Sequence, residues 1–173
     1  MKLLMIAALL LCAVSATAAA QAADDLTLRV RLTSSERSRD SSSDSTTLTI
    51  ARASDIIGWR RSFSGHHRGT SPEPKEFKFG LADRAALLKL IRARNLLVTN
   101  SIALPEETGF FFFAISVGVT LDGKTGAISL SGPRTAKQIK EEKLYQDTLA
   151  LVKEIYRIIN AQDPTIRFGE LVR

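Results

Sequence analysis

The segment Gly118–Thr125 matches the P-loop pattern, in which two glycines separated by four residues precede Lys and Thr. A P-loop binds phosphate because its backbone N–H groups surround the anion and the chain then enters a helix. Here Gly118 lies inside an alternating apolar run, and a second strand-like run follows Thr125. The dipeptide Asp122-Gly123 is typical of a hairpin turn. We therefore predict a β-hairpin, with no bound nucleotide and no cofactor.

The two histidines, His66 and His67, could serve as metal ligands or as a general base. Neighbouring strand residues point to opposite faces, and both histidines begin the turn-rich stretch HHRGTSPEP. We interpret them as exposed loop residues and predict no metal site. The chain also lacks the G-x-S-x-G pattern of a nucleophile elbow, so no catalytic residue is assigned.

Arginines and aromatic residues gather in one predicted hairpin and in the loop that follows it. Protein interfaces favour both residue types, and guanidinium groups pair well with anionic groups. The alternative is an ordinary solvated strand with its aromatic residues in the core. The predicted binding residues are Arg52, Trp59, Arg60, Arg61, His66, His67 and Arg68. On this hypothesis, replacing Arg60 and Arg61 with Ala abolishes partner capture.

Apolar and polar residues alternate with a period of two in several segments, which predicts the strands of a sheet. Between the first two segments, residues 33–45 read TSSERSRDSSSDS, and this composition predicts a mobile Ser-rich loop. The predicted strands are Leu26–Leu32, Thr46–Ala53, Trp59–Ser64, Glu76–Leu81, Phe110–Leu121 and Ala127–Ser131.

Two amphipathic segments, Arg84–Asn95 and Thr135–Asn160, predict helices. Asp83 is the expected N-cap of the first, and Asn95 is expected to end it in the left-handed conformation. Residues 161–173 are expected to form an extended tail. The predicted fold class is α+β, with an antiparallel sheet of about six strands and two helices packed mainly on one face.

The N-terminus has the features of a secretory signal peptide at residues 1–22. Lys2 precedes the apolar stretch Leu3–Val14, and small residues follow as far as Ala22. We expect cleavage after Ala22, with Ala20 as the alternative, and a secreted or periplasmic protein. The apolar stretch is too short for a transmembrane helix, and residues 23–173 are expected to form a single domain.

Removal of the signal peptide changes the composition of the domain. The only cysteine, Cys12, leaves with it, so no disulfide can form. Loss of Lys2 leaves 23 basic and 18 acidic residues, a net charge of about +5. This charge favours an extracytoplasmic protein or an anionic surface as partner. It is not concentrated enough to indicate nucleic-acid binding.

The order of the elements from Thr46 to Asn160 resembles a group of small secreted bacterial domains, most of unknown function. The order is a strand, a hairpin, a helix after an Asp cap, a strong strand, an Asp-Gly-Lys turn, a short strand and a closing amphipathic helix. Emfourin-type inhibitors of thermolysin-like metalloproteases are similar to this group, so the resemblance implies protein inhibition. Ser64-Gly65-His66 is a poor match to their glycine-rich inhibitory segment, and no functional residue is carried over.

Together these features predict an exported, non-catalytic binding module that uses the Arg- and Trp-rich hairpin, with protein inhibition as one form of that function. Two alternatives stay open. One is a secreted hydrolase with a histidine base, and the other is an envelope protein that binds an anionic polymer.

Overall fold

The computed structural model of the chain describes residues 25–36, 42–65, 70–103, 111–133 and 141–166. In these residues, seven strands form one sheet and two helices pack on it. The predicted signal peptide at 1–22 and residues 167–173 of the predicted tail lie outside the described residues. The elements are β1 (Thr27–Glu36), β2 (Ser42–Ile50), β3 (Ile56–Ser64), β4 (Lys75–Lys78), α1 (Leu81–Ala93), β5 (Thr99–Ala103), β6 (Phe111–Leu121), β7 (Lys124–Pro133) and α2 (Lys143–Gln162).

The strand order in the sheet is β4-β3-β2-β1-β6-β7-β5. Every neighbouring pair is antiparallel except β5 and β7, which are parallel. The predicted α+β class is confirmed, but the described sheet has seven strands rather than about six. The additional strand is β5, which alternation did not reveal because it holds few apolar residues. The Ala127 N–H donates to the Val98 carbonyl at 2.9 Å, which holds the start of β5 beside β7.

The hairpin of β1 and β2 is longer than the sequence predicts. Residues 33–36 and 42–45 belong to the predicted Ser-rich loop, yet the structure places them in the two strands, with Thr33 opposite Ser45 and Glu36 opposite Ser42. Strand pairing uses backbone groups, so small hydroxyl side chains are compatible with it on a solvated face. Residues 37–41 lie outside the described part of the chain.

The structure also changes the predicted helix starts. Gly80 is the N-cap of α1, and Asp83 lies in its first turn, where its carboxylate accepts a hydrogen bond from Arg157 Nη2 at 2.7 Å. Leu81, predicted to face the core from a strand, is the first residue of α1 and is 67% exposed. The backbone of Glu142 is extended, so α2 begins at Lys143; residues 134–140, which include the predicted helix start at Thr135, lie outside the described residues. Asn95 adopts the predicted left-handed conformation, with φ of 51°.

Both helices cover the same side of the sheet. Leu26, just before β1, and residues 28, 30 and 32 of β1 are buried, as their alternation predicts. Helix α1 buries Leu87, Leu88 and Ile91 there, while α2 contributes a longer stripe that includes Leu151, Val152 and Ile155. This layer forms the hydrophobic core. The opposite side of the sheet is exposed along its central strands, as at Arg29, Arg31, Ser116 and Ala127.

The segment that matches the P-loop pattern forms the predicted β-hairpin. Asp122 and Gly123 have φ angles of 51° and 74°, which is the left-handed pair of a type I′ turn. Lys124 and Thr125 then begin β7, where they pair with Leu121 and Thr120 of β6. The backbone therefore enters a strand at the point where a P-loop enters a helix.

The outer edge of β4 is blocked by the end of α2. The side-chain amide of Gln162 accepts from the Lys78 N–H and donates to the Lys78 carbonyl, both at 2.8 Å. Lys75 Nζ donates to Asp163 Oδ2 at 2.7 Å just beyond it. Because an edge strand with free backbone groups can pair with another chain, this amide protects the sheet from edge-to-edge association.

The close packing of the backbone before β5 against β7 can be tested at Gly126. A Cβ there would lie 2.6 Å from the Leu96 carbonyl oxygen and 2.8 Å from Leu97 Cα, both backbone atoms. Gly126→Ala should therefore lower the free energy of unfolding by about 1–3 kcal/mol, measured by chemical denaturation. Gly118→Ala on β6 is the matched control, because nothing lies within 4 Å of its added Cβ. Equal effects of the two substitutions would contradict the close approach at Gly126.

Candidate functional site: the open face of the sheet

On the side of the sheet away from the helices, which we call the open face, three central cross-strand rows each span six strands. Each row runs from β3 through β2, β1, β6 and β7 to β5, and its members are direct neighbours across the sheet. The rows are Gly58-Thr49-Arg29-Gly118-Ala127-Thr99, Arg60-Thr47-Arg31-Ser116-Ser129-Ser101 and Ser62-Ser45-Thr33-Ala114-Ser131-Ala103. A neighbouring row on the same face, Ser64-Ser43-Ser35-Phe112-Pro133, contains one aromatic residue.

The open face has an unusual composition for a solvated sheet. Arg29, Arg31 and Arg60 are the only charged residues in the three central rows between β3 and β5, and every other member of these rows is Ser, Thr, Ala or Gly. All three arginines are exposed. The nearest carboxylate in the β-ladder is that of Glu76, which lies opposite Gly58 on β4. Apart from the three arginines, these rows therefore carry only short side chains, and they are rich in hydroxyl groups and positively charged.

The three arginines surround a shallow depression of about 480 Å³. Arg31 and Arg60 lie in one row with Thr47 between them, so their backbones are about 10 Å apart, twice the strand spacing. Arg29 lies about 7 Å from Arg31 along β1. Arg31 Nε donates to Ser45 Oγ at 3.1 Å, which lays that side chain across β2. The floor between them consists of Ser45, Thr47, Thr49, Gly58 and Ser62.

The arginines of the open face have no carboxylate partner within 4.0 Å among the described residues. Elsewhere in the described part of the chain, arginine is paired with acid in most cases. The pairs are Arg52–Asp25, Arg61–Asp44, Arg92–Asp122, Arg94–Asp147 and Arg157–Asp83. The open face thus concentrates the guanidinium groups that this structure leaves available to an external anion.

The predicted Arg- and Trp-rich cluster is divided between the two sides of the sheet. Trp59 is buried against the helix layer, and Arg61 lies on the same side. Arg61 forms a two-point pair with Asp44, with Nε–Oδ1 at 3.0 Å and Nη2–Oδ2 at 2.6 Å. Its guanidinium also lies 4.8 Å from the centre of the Phe63 ring. The hydrogen bonds from Arg61 to Asp44 raise the pKa of that guanidinium, so its charged form is stabilised by an ion pair inside the protein.

Of the remaining predicted binding residues that the structure describes, only Arg60 lies on the open face. Arg52 follows β2 and forms an ion pair with Asp25. His66, His67 and Arg68 lie outside the described residues. The histidine base of the hydrolase alternative therefore also lies outside them. The described members of the predicted set, Arg52, Trp59, Arg60 and Arg61, therefore do not share one surface.

The helix side of the sheet contains one buried tyrosine near Trp59. Burial raises the pKa of Tyr156 to about 12, although hydrogen bonding to Trp59 and Thr46 acts in the opposite direction. A phenol with this pKa stays protonated at neutral pH and does not act as a base. Among the described residues, no three His, Cys, Asp or Glu side chains come together to hold a metal ion.

Two further findings bear on the class of protein. In the part of the chain that the structure describes, neither helix combines the length and apolar character needed to cross a membrane. Comparison with known protein families and with curated proteins gave no match for this chain.

Sequence reasoning missed Arg29 and Arg31, although the signal was present. In β1 the leucines and Val30 alternate with Thr27, Arg29 and Arg31, so both arginines had to lie opposite the core. What the sequence did not reveal was the order of the strands. Only the pairing of β1 between β2 and β6 places these two arginines at the centre of the sheet, two strands from Arg60.

On the helix side of the sheet, the carboxylate of Asp147 is buried and paired with two basic side chains. It lies between the helices, accepts from Arg94 Nη1 at 2.9 Å and also binds Lys143. Burial acts to raise the pKa of Asp147, but the hydrogen bonds from Lys143 and Arg94 outweigh it, and the pKa is lowered. The ionised carboxylate therefore links α1 to α2.

We expect Asp147→Asn to lower the free energy of unfolding at pH 7 by about 1 kcal/mol, because a charge-assisted hydrogen bond is lost. A folded-state pKa below the ordinary value of about 3.9 gives stability that is present above that pH and is lost as the pH falls through the folded pKa. The difference between wild type and variant, measured by urea denaturation, should therefore shrink below about pH 4. Asp55→Asn, at an exposed position with no side-chain partner among the described residues, is the control. A constant difference from pH 7 to pH 3 would contradict the assignment.

Proposed function

We propose that this chain is an exported, non-catalytic binding module that holds an anionic partner on the open face of its sheet. The observation that carries the proposal is the set of Arg29, Arg31 and Arg60 around one shallow depression, where none of the three is paired with a carboxylate among the described residues. Export is supported by the N-terminal sequence pattern, with Lys2, the apolar stretch and Ala22 in the order of a signal peptide.

The chemistry of the open face favours binding over catalysis. A guanidinium group keeps its proton throughout the physiological pH range, so these arginines cannot transfer one. The surrounding Ser and Thr hydroxyls can donate and accept hydrogen bonds, but the three rows contain no His, Asp, Glu or Lys to activate them. On the β4 side of the depression, Lys75 is paired with Asp163, and Glu76 has no hydrogen bond to these hydroxyls among the described residues. The face can therefore hold a ligand by charge and hydrogen bonding without transforming it.

The same composition lowers the entropic cost of binding. Long side chains such as Lys, Arg and Glu lose about 1.5–2 kcal/mol of rotamer entropy when they are ordered, while Gly and Ala lose none. Outside the three arginines, the rows present only short side chains on a rigid sheet. Most of the contact surface is thus already in its bound conformation.

We expect the triple variant Arg29→Ala, Arg31→Ala and Arg60→Ala to lose the material that the wild-type protein retains from its own extracytoplasmic fraction. The control variant, Lys89→Ala, Arg92→Ala and Lys153→Ala, removes three exposed cationic groups from the helices instead. It should retain the same material, because the global charge is changed equally. Loss in both variants, or in neither, would contradict a site on the open face.

Arg60 and Arg61 should behave differently when each is replaced singly by Ala. Arg60→Ala removes a group of the open face and should weaken retention with little change in stability. Arg61→Ala leaves Asp44 without its guanidinium partner and should lower the free energy of unfolding by about 1–2 kcal/mol while retention is kept. Capture assays and urea denaturation of the two variants separate these effects, and equal loss of capture would favour a site that includes both arginines.

A further inference from the structure

We infer that the partner held on the open face is a linear polysaccharide that carries carboxylate groups. This inference rests on the proposed function and names the class of its ligand. It is argued from charge complementarity, from the hydroxyl-rich floor between the arginines and from the groups that the face lacks.

The arrangement of charges fits a polymer with spaced anionic groups. The backbones of Arg31 and Arg60 are about 10 Å apart across the sheet, and that of Arg29 is about 7 Å from that of Arg31 along β1. Each guanidinium presents parallel N–H groups that match the two oxygens of a carboxylate. Separate carboxylates along one chain can therefore meet separate arginines, whereas a single small anion would reach one or two of them.

The floor of the depression fits the neutral part of such a chain. Thr47 lies directly between Arg31 and Arg60, and Thr49 occupies the corresponding place between Arg29 and Gly58. Their hydroxyls, with those of Ser45 and Ser62 in the next row beyond Thr47, can donate to and accept from the hydroxyl groups of sugar rings. Gly58 has no side chain, so the floor is low on the β3 side. Glu76 lines the β4 side of the depression and directs anionic groups toward the arginines.

Other polymer classes match the face less well. Protein interfaces draw most of their binding energy from Trp, Tyr and Arg, with Ser and Thr under-represented. Among the described residues that line the depression the one aromatic residue is Trp59, which is 7% exposed, and Phe112 lies in the neighbouring row outside the depression. Single-stranded nucleic acid is bound through stacking on exposed aromatic side chains, and the buried Trp59 ring does not offer such a surface. Insertion into a lipid surface needs exposed apolar groups, and the rows offer only small side chains.

The test measures binding of the purified protein to polygalacturonate, by isothermal calorimetry or biolayer interferometry at low salt. Two comparison polymers separate the parts of the proposal. Fully methyl-esterified polygalacturonate keeps the sugar backbone without its charge, and poly-L-glutamate keeps carboxylates without sugar hydroxyls. We expect measurable affinity for polygalacturonate, weaker affinity for poly-L-glutamate and none for the ester. The affinity should fall as salt is added.

Two variants assign the binding to the face. The triple arginine variant should lose roughly tenfold to a hundredfold in affinity for polygalacturonate, because each exposed ion pair contributes modestly. Thr47→Val with Thr49→Val keeps shape and charge but removes the floor hydroxyls. It should weaken the affinity for polygalacturonate about threefold to tenfold and leave the affinity for poly-L-glutamate unchanged. Far-ultraviolet circular dichroism confirms that both variants are folded.

The outcomes distinguish this inference from the proposed function. Equal affinity for polygalacturonate and poly-L-glutamate, lost together in the triple variant, would overturn the polysaccharide and keep an anionic partner. Tighter binding to single-stranded oligo(dT) or to anionic lipid vesicles than to polygalacturonate would also overturn it. Binding of polygalacturonate that the triple variant does not weaken would overturn both proposals.

Discussion

The two-residue period of the strands is the constraint on which the rest of this structure depends. In a paired sheet, each side chain faces one side or the other, and a shift of one residue would exchange the sides for a whole strand. Leu28, Val30 and Leu32 must face the helices to be buried, so the residues between them must face away. The same rule places Trp59 and Arg61 on the helix side and sends Arg60 to the open face. Packing of the core therefore also determines which charged groups reach the open face.

One-sided covering is what makes the open face available. An antiparallel sheet can leave one face in water because its hairpins need no crossover helices, and here both helices return to the same side. The chain leaves α1 and enters β5, the edge strand that pairs in parallel with β7. Gly126 of β7 allows the backbone of Leu96 and Leu97, just before β5, to approach closely. At the other end, Gln162 of α2 satisfies the backbone of β4. The helices thus form the core and also protect one edge of the sheet.

How far the sequence predicted this arrangement depended on the physical origin of each feature. Alternation found six of the described strands, because burial of one face leaves a direct pattern in the residues. It missed β5, whose position depends on the backbone contact between Val98 and Ala127 rather than on apolar residues. It also interpreted residues 33–45 as a loop, since Ser and Thr carry no apolar pattern even where their backbones are paired. The Asp83 cap was misplaced because Asp83 pairs with Arg157, a residue of the other helix.

The same distinction explains the candidate site. Residues 59–61 are adjacent in the sequence, and that proximity favoured one cluster, but adjacency along a strand separates side chains rather than uniting them. Arg29, Arg31 and Arg60 are brought together only by the order of the strands, which no local pattern encodes. Like charges at neighbouring positions of a sheet are mildly unfavourable, and an acidic residue in place of Thr47 would relieve them. The protein instead pairs Arg61, Arg94 and Arg157 with carboxylates on the helix side and leaves small hydroxyl residues between the arginines of the open face. This distribution is the one that the proposed binding of an anionic partner needs.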